Sequence, residues 1–159
     1  MKTLIIYGTK YGCTEKCAKI LSEKLTEEVE LYNLKEVNDI DISDYDKVII
    51  GGSVYIGKIR KEVTKFCLRK LNELKGKKVG LFICCMADGE AAEKQLNDVF
   101  PKELMTNAIA KENFGGEFIF NKMNFFDRFI VKKVSKTDTD QSNIHIENIN
   151  RFAQLMNNV

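Results

Sequence analysis

Short apolar runs, separated by segments with helical periodicity, constrain the fold of this chain more than any other feature. The runs are continuous, as in strands that are buried on both faces of a parallel sheet, and they do not alternate as half-exposed strands do. They are Leu4–Tyr7, Val48–Ile50, Val79–Cys85 and Phe118–Phe120, and a weaker run, Val29–Tyr32, half alternates like an edge strand. The sequence therefore predicts five strands.

Apolar residues spaced three or four apart indicate helices between these strands. The stripes run from Cys13 to Leu25, from Ile59 to Leu74 and from Ile146 to Met156, and a shorter helix begins near Asp88 and ends before Pro101. Alternating strands and helices predict an α/β fold with a parallel sheet. No repeat or linker divides the 159 residues, so we expect a single domain from residue 1 to residue 159.

Composition excludes several classes of function. The 25 basic and 23 acidic residues give a net charge of +2, which argues against a nucleic-acid partner. No apolar run approaches the roughly 18 residues of a membrane span, and the N-terminus lacks a signal-peptide cleavage site. Five cysteines are an odd number and indicate reduced thiols in a cytoplasmic protein. With one histidine, His145, we expect no His-based metal site, no Ser-His-Asp triad and no Cys-His dyad.

The residues that follow the strands indicate where a ligand binds. In open parallel sheets, ligands bind beyond the carboxyl ends of the strands. The segments at those ends are Gly8–Thr14, Gly51–Gly57 and Met86–Gly89, and all are rich in glycine or in hydroxyl groups. We therefore expect them to meet at one edge of the sheet.

The first of these segments favours an anion. It offers the hydroxyls of Thr9 and Thr14, a flexible Gly12, and the free N–H groups of a helix N-terminus. An ordinary N-capped helix, with Thr9 or Thr14 as the cap, is the alternative interpretation. Lys10 either neutralises part of a phosphate charge or points into water. Neither the P-loop nor the dinucleotide-binding G-x-G-x-x-G pattern occurs here.

This segment resembles the phosphate loop of the flavodoxin family, [ST]-x-[ST]-G-x-[ST], with Tyr11 in place of a small hydroxyl residue. The resemblance implies bound FMN and a flavodoxin-like three-layer sandwich with a five-stranded parallel sheet in the order 2-1-3-4-5. It implies that the phosphate contacts Thr9, Lys10, Tyr11, Gly12, Cys13 and Thr14. It also implies that the flavin ring lies between Ser53, Val54, Tyr55, Ile56 and Gly57 on one side and Cys85, Met86, Ala87 and Asp88 on the other, with Tyr55 as a candidate stacking ring.

The segments Asn124–Ile130 and Thr137–Asp140 resemble a narrower group, the flavodoxin-like menaquinone-dependent protoporphyrinogen dehydrogenase family. That family carries a basic residue where this chain has Lys10, and it tolerates a residue such as Tyr11. The resemblance implies an FMN-dependent oxidoreductase that passes electrons to a quinone, with no catalytic acid or base side chain. A soluble carrier of electrons between protein partners is the alternative, as is a domain that has lost its cofactor.

Residues 120–136 are both basic and aromatic. Their net charge is +4, whereas the rest of the chain carries −2. Phe126, Phe129 or Ile130, and Val134 share one face of a helix, which either packs on the core or lies on an anionic membrane surface. We favour packing, and a wall over the flavin is a third possibility.

The cysteines give weaker signals. Adjacent strand residues point to opposite faces, so we favour packing over a redox pair for Cys84 and Cys85. Cys13 and Cys17 are one helical turn apart, and two thiols alone make a poor metal site.

Overall fold

A parallel sheet with helices on both faces forms the centre of the protein. The computed structural model describes residues 1–37, 39–135 and 140–159. In chain order its elements are β1 (Lys2–Gly8), α1 (Cys13–Lys24), β2 (Glu28–Asn33), β3 (Lys47–Tyr55), β4 (Lys58–Ile59), α2 (Lys61–Arg69), α3 (Leu71–Leu74), β5 (Lys78–Cys84), α4 (Gly89–Val99), α5 (Lys102–Asn107), β6 (Ala110–Asn113), β7 (Gly115–Phe118), α6 (Phe125–Ser135), β8 (Gln141–Ile144) and α7 (Ile146–Asn157). The parallel strands lie in the order β2-β1-β3-β5-β6, which confirms the predicted topology.

The fifth parallel strand is not the segment that the sequence predicted. It is β6, which pairs with β5 from Gly80↔Ala110 to Ile83↔Asn113. Phe118 instead ends β7, which forms an antiparallel ribbon with β8, and Phe120 begins a single 3-10 turn. The apolar run at Phe118–Phe120 predicted a strand of the main sheet there, and that prediction was wrong.

Side chains of alternate strand residues build two cores, one on each face of the sheet. Ile5 and Tyr7 of β1 pack on the side of α1 and α7, together with Phe82, Phe114 and other residues. Leu4 and Ile6 pack on the opposite side, against α2 to α5. This division produces the three predicted layers.

The helices largely follow the predicted stripes. The stripe from Ile59 to Leu74 is divided between α2 and α3, because Lys70 leaves the helical conformation between them. The short α5 was not predicted. None of the helices among the described residues is both long and apolar enough to cross a bilayer.

Strand β3 extends farther than its apolar run, as far as Tyr55. Gly51 and Gly52 therefore belong to the strand and not to the loop that we expected after it. A Cβ atom on Gly51 would lie only 2.0 Å from the Phe82 ring, so the ring needs a glycine at this position.

The segment between β7 and β8 crosses to the carboxyl ends of the strands. It contains the 3-10 turn at Phe120–Lys122 and helix α6. The end of the basic segment, Lys136, and residues 137–139 of the family-like motif lie outside the described residues. Helix α6 thus lies outside the main sheet, near the carboxyl ends of its strands.

Candidate functional site

A cavity of about 420 Å³ opens at the carboxyl ends of β1, β3 and β5. The three segments that the sequence singled out come together around it. Of the predicted site residues, Thr9, Lys10, Tyr11, Cys13, Ser53, Val54, Tyr55, Ile56, Gly57, Cys85, Met86 and Ala87 line the cavity. Its volume lies in the usual range of small-molecule sites.

Three predicted residues have other positions. Gly12 and Thr14 belong to the first loop without lining the cavity. The carboxylate of Asp88 is exposed and lies 3.7 Å from Nε2 of His145, in a separate polar groove. Asp88 precedes α4 without a side-chain capping hydrogen bond.

The first loop is braced by its own residues. The N–H of Gly12 donates a hydrogen bond to Oγ1 of Thr9 over 2.9 Å, and Gly12 has a φ of 95°, which favours glycine. Helix α1 begins at the next residue, and the N–H groups of its first turn lack intrahelical partners. Thr14 is fully buried, and its Oγ1 has no hydrogen-bond partner among the described residues. The loop thus presents donors for an anion.

Lys10 does not point into water. Its ammonium lies 2.6 Å from Oδ2 of the buried Asp127 on α6, and 4.3 Å from the centre of the Tyr55 ring. The hydroxyl of Tyr11 also donates a hydrogen bond to the Asp127 carboxylate. The residue that departs from the loop pattern therefore attaches α6 to the loop.

A second cation, which sequence reasoning missed, lies beside the first loop. The Nζ atom of Lys122 is 4.0 Å from the point where a Cβ atom on Gly12 would stand. Lys122 and Gly12 are far apart in sequence, so no local pattern could have paired them. Their proximity gives the loop a positive charge that is separate from Lys10.

The end of strand β3 supplies polar groups to a mostly apolar site. The hydroxyls of Ser53 and Tyr55 are buried, and neither has a hydrogen-bond partner within the described ranges. The same is true of Oε1 of Gln95, a cavity residue on α4 that sequence reasoning missed. Unpartnered buried polar atoms are rare in proteins because they cost free energy, unless a ligand or water satisfies them. Together with the loop donors, they fit a ligand that carries both a phosphate and a polar ring.

Helix α6 forms one wall of this cavity. Ile130 and Val131 line it from the helix, and Met123 lines it from the turn that precedes the helix. Met123 and Val131 pack with Phe120 against Tyr11 and Tyr55. The segment thus forms a wall of the cavity; that this wall covers a flavin stays a prediction. The expectation that its aromatic face packs on the core was wrong for Phe126 and Phe129, which are 68% and 58% exposed. The side chain of Val134 lies outside the described residues.

The cavity also touches a group of thiols. Cys84 faces α1, whereas Cys85 belongs to the opposite core, so the two adjacent cysteines do not form a pair. The pKa of the Cys13 thiol is lowered from its ordinary value, chiefly by hydrogen bonding with the neighbouring thiols of Cys17 and Cys84, whereas burial acts in the opposite direction. By contrast, burial raises the pKa of the isolated Cys67 to about 12. Sequence spacing linked Cys13 to Cys17 and did not reveal the third member, Cys84.

Comparison with known proteins agrees with this architecture. The family model described as "Flavodoxin domain" matches residues 4–145. The chain belongs to the flavodoxin family. Protoporphyrinogen IX dehydrogenase [quinone] of Escherichia coli is a relative, 23% identical over 97% of this chain and 93% of its own length.

Solved structures share the fold. The flavodoxin of Fusobacterium nucleatum bound to flavin mononucleotide aligns with a TM-score of 0.53 and 13% identity, over 99% of this chain and 97% of its own. Rubredoxin oxygen:oxidoreductase of Desulfovibrio gigas aligns with a TM-score of 0.62 and 20% identity, over 99% of this chain. This chain spans about a third, 35%, of that protein.

Proposed function

We propose that this protein binds FMN and acts as an oxidoreductase that transfers electrons from a bulky organic substrate, such as a porphyrinogen, to a quinone. The observation that carries the proposal is the cavity at the sheet edge, with its anion-binding loop, its unpartnered hydroxyls and its apolar wall from α6. The E. coli relative bears the name of such an enzyme.

The phosphate end of the ligand would bind at the first loop. The N–H groups at the start of α1 would donate to the phosphate, and the helix dipole favours a negative charge there. Thr14 would donate from its buried hydroxyl, and Lys122 would supply positive charge. Because Lys10 is paired with Asp127, we assign it to the attachment of α6.

The ring would lie between residues 53–57, at the end of β3, and residues 85–87, after β5. Ser53 and Tyr55 would donate the hydrogen bonds that their hydroxyls lack, and Cys85 to Ala87 would form the opposite side. The flavin would supply the electron-accepting and electron-donating chemistry. The protein's own part is to hold the ring, to exclude water and to control access.

Helix α6 suits an apolar reaction partner. Ile130 and Val131 face the cavity, whereas Phe126 and Phe129 are exposed on the same helix with Lys132 and Lys133. Exposed aromatic side chains beside lysines are typical of helices that lie on anionic membranes. We therefore propose that α6 rests on such a membrane, where quinones are dissolved.

The proposal is tested first by the visible absorption spectrum of the purified protein, with FMN added if the preparation is colourless. We expect a bound flavin spectrum, and then turnover of protoporphyrinogen with a menaquinone analogue in the presence of lipid. FMN binding without turnover would favour the electron carrier. No FMN binding would overturn the cofactor assignment and the enzyme together.

A matched pair of variants tests whether FMN binds in the cavity. Tyr55→Ala removes a cavity ring and should lower FMN affinity, whereas Leu155→Ala, an exposed position on α7, should leave it unchanged. Equal affinities for both variants would contradict the site.

A further inference from the structure

Three cysteine sulfurs meet where α1 packs on β5. The Sγ atoms of Cys13, Cys17 and Cys84 all lie within 4.8 Å of one another. Residues four apart share a helix face, which brings Cys13 and Cys17 together. The alternation of side chains along β5 turns Cys84 toward that face, into the core that also contains Cys17.

The donor atoms of this group are all soft. Within the described ranges, neither a carboxylate nor an imidazole joins the three sulfurs. Glu117 is the nearby acid whose charge acts on Cys13, but its carboxylate already accepts hydrogen bonds from Lys16 over 2.9 Å and from Ser142 over 2.7 Å. Thiolates without oxygen donors select soft cations.

We propose that Cys13, Cys17 and Cys84 form a binding site for a soft cation, with Cu(I) as the preferred occupant. A metal–sulfur bond of about 2.3 Å, the value in zinc thiolates, sets three sulfurs about 4 Å apart around a three-coordinate ion. Sulfurs within 4.8 Å need little movement to reach that spacing. A structural Zn²⁺ site takes four ligands, one more than this group offers.

The surroundings of the group also suit a cation-binding site. Cys13 and Cys84 line the cavity, which gives an ion a path to the sulfurs. The N-terminus of α1 and the nearby Lys16 favour the thiolate of Cys13, whereas hydrogen bonding to Cys13 and burial keep Cys17 and Cys84 protonated until an ion displaces their protons. Binding replaces thiol protons by the ion and involves no change of oxidation state. The site does not depend on FMN, so its test is independent of the test of the proposed function.

The test is an anaerobic titration of the flavin-free protein with Cu(I), in competition with a chromogenic Cu(I) chelator. We expect one tightly bound ion per chain, an ultraviolet thiolate-to-copper band and release of protons. Cys17→Ala and Cys84→Ala should each weaken binding by more than about a hundredfold, as loss of a ligand exceeds the loss of its supporting contacts. Cys67→Ala, at a buried and isolated thiol on α2, is the matched control and should bind like the wild type.

A second measurement uses the wild type alone, so that it does not depend on the folding of the variants. Alkylation of the native protein with and without Cu(I), followed by mass spectrometry, should show protection of Cys13 by the ion, with no change at Cys85. The proposal is overturned if the wild type binds no ion at one-to-one stoichiometry, if Cys67→Ala weakens binding as much as Cys84→Ala, or if Cu(I) leaves Cys13 unprotected. Tighter binding of Cd²⁺ or Zn²⁺ than of Cu(I) would overturn the assignment of the metal.

Discussion

Asp127 on α6 and Lys10 in the first loop form an ion pair of 2.6 Å, in which the carboxylate is 5% exposed. The hydroxyl of Tyr11 donates to the same carboxylate. Three side chains thus connect α6 to the loop that begins at the end of β1. Asp127 therefore holds two side chains of the first loop against α6.

Replacing Asp127 should therefore destabilise the protein. Asp127→Ala leaves Lys10 and the Tyr11 hydroxyl without their partner, and we expect a loss of about 1–3 kcal/mol. Urea unfolding measures the loss, and limited proteolysis should cut α6 first. Asp98→Ala removes an exposed pair with Lys94 and should change stability little. Equal stability of the two variants would contradict the anchoring role.

Replacing Thr14 should lower FMN affinity without lowering the stability of the folded protein. Its buried Oγ1 has no hydrogen-bond partner among the described residues, so Thr14→Val removes no protein–protein hydrogen bond. We expect unchanged or slightly raised stability, and FMN affinity about tenfold lower. Thr9→Val should instead destabilise the loop, because Oγ1 of Thr9 accepts the N–H of Gly12. Calorimetric unfolding and fluorescence titration with FMN measure both effects, and unaltered FMN affinity of Thr14→Val would place the phosphate elsewhere.

Lys122 should distinguish FMN from riboflavin. Because its ammonium lies beside Gly12, Lys122→Gln should lower FMN affinity by about five- to tenfold and leave riboflavin affinity unchanged. Lys24→Gln changes the same charge at the other end of α1 and should affect neither ligand. A matching loss of riboflavin affinity in Lys122→Gln would refute a phosphate contact.

The outer face of α6 should determine membrane binding. We expect the wild type to bind anionic vesicles in a salt-sensitive manner. The double variant Lys132→Glu/Lys133→Glu should weaken binding at least tenfold, since each basic residue near an anionic surface contributes about 1 kcal/mol. The double variant Phe126→Ser/Phe129→Ser should also weaken binding at least tenfold, because it removes the apolar side chains that would enter the membrane surface. Leu68→Ser, at an exposed apolar residue of α2, is the control. Vesicle sedimentation measures the partition, and similar binding by all variants would exclude this face.

Gly51 tests the packing beneath the site. Gly51→Ala would place a methyl group within the van der Waals radius of the Phe82 ring and should cost about 1–3 kcal/mol. Gly76→Ala, where the added methyl group would lie 3.7 Å from the carbonyl oxygen of Glu73, should have little effect. Thermal unfolding compares the two, and a silent Gly51→Ala would show that Phe82 has room to move.

Four of the five parallel strands could be predicted because each is a continuous or nearly continuous apolar run. Strand β6 could not, since Ala110-Lys111-Glu112-Asn113 has one apolar residue and lies at the sheet edge. The aromatic run at Phe118–Phe120 was misleading because aromatic residues suit a ribbon and a packed turn as well as a strand.

The loops of the site were predictable because ligands bind at the carboxyl ends of the strands in an open parallel sheet, and these segments follow three such strands. The sequence did not predict the contributions of Lys122, Gln95 and Glu117. Each of these residues reaches the site only because a distant segment of the chain folds against it. Asp127 was visible in the sequence, but its pairing with Lys10 depends on how α6 packs.

Helix α6 carries cavity residues on one face and the exposed Phe126 and Phe129 on another. A helix of eleven residues is short enough to move as one rigid rod. A surface that bound Phe126 and Phe129 would therefore also fix the position of Ile130 and Val131, and with them one wall of the cavity.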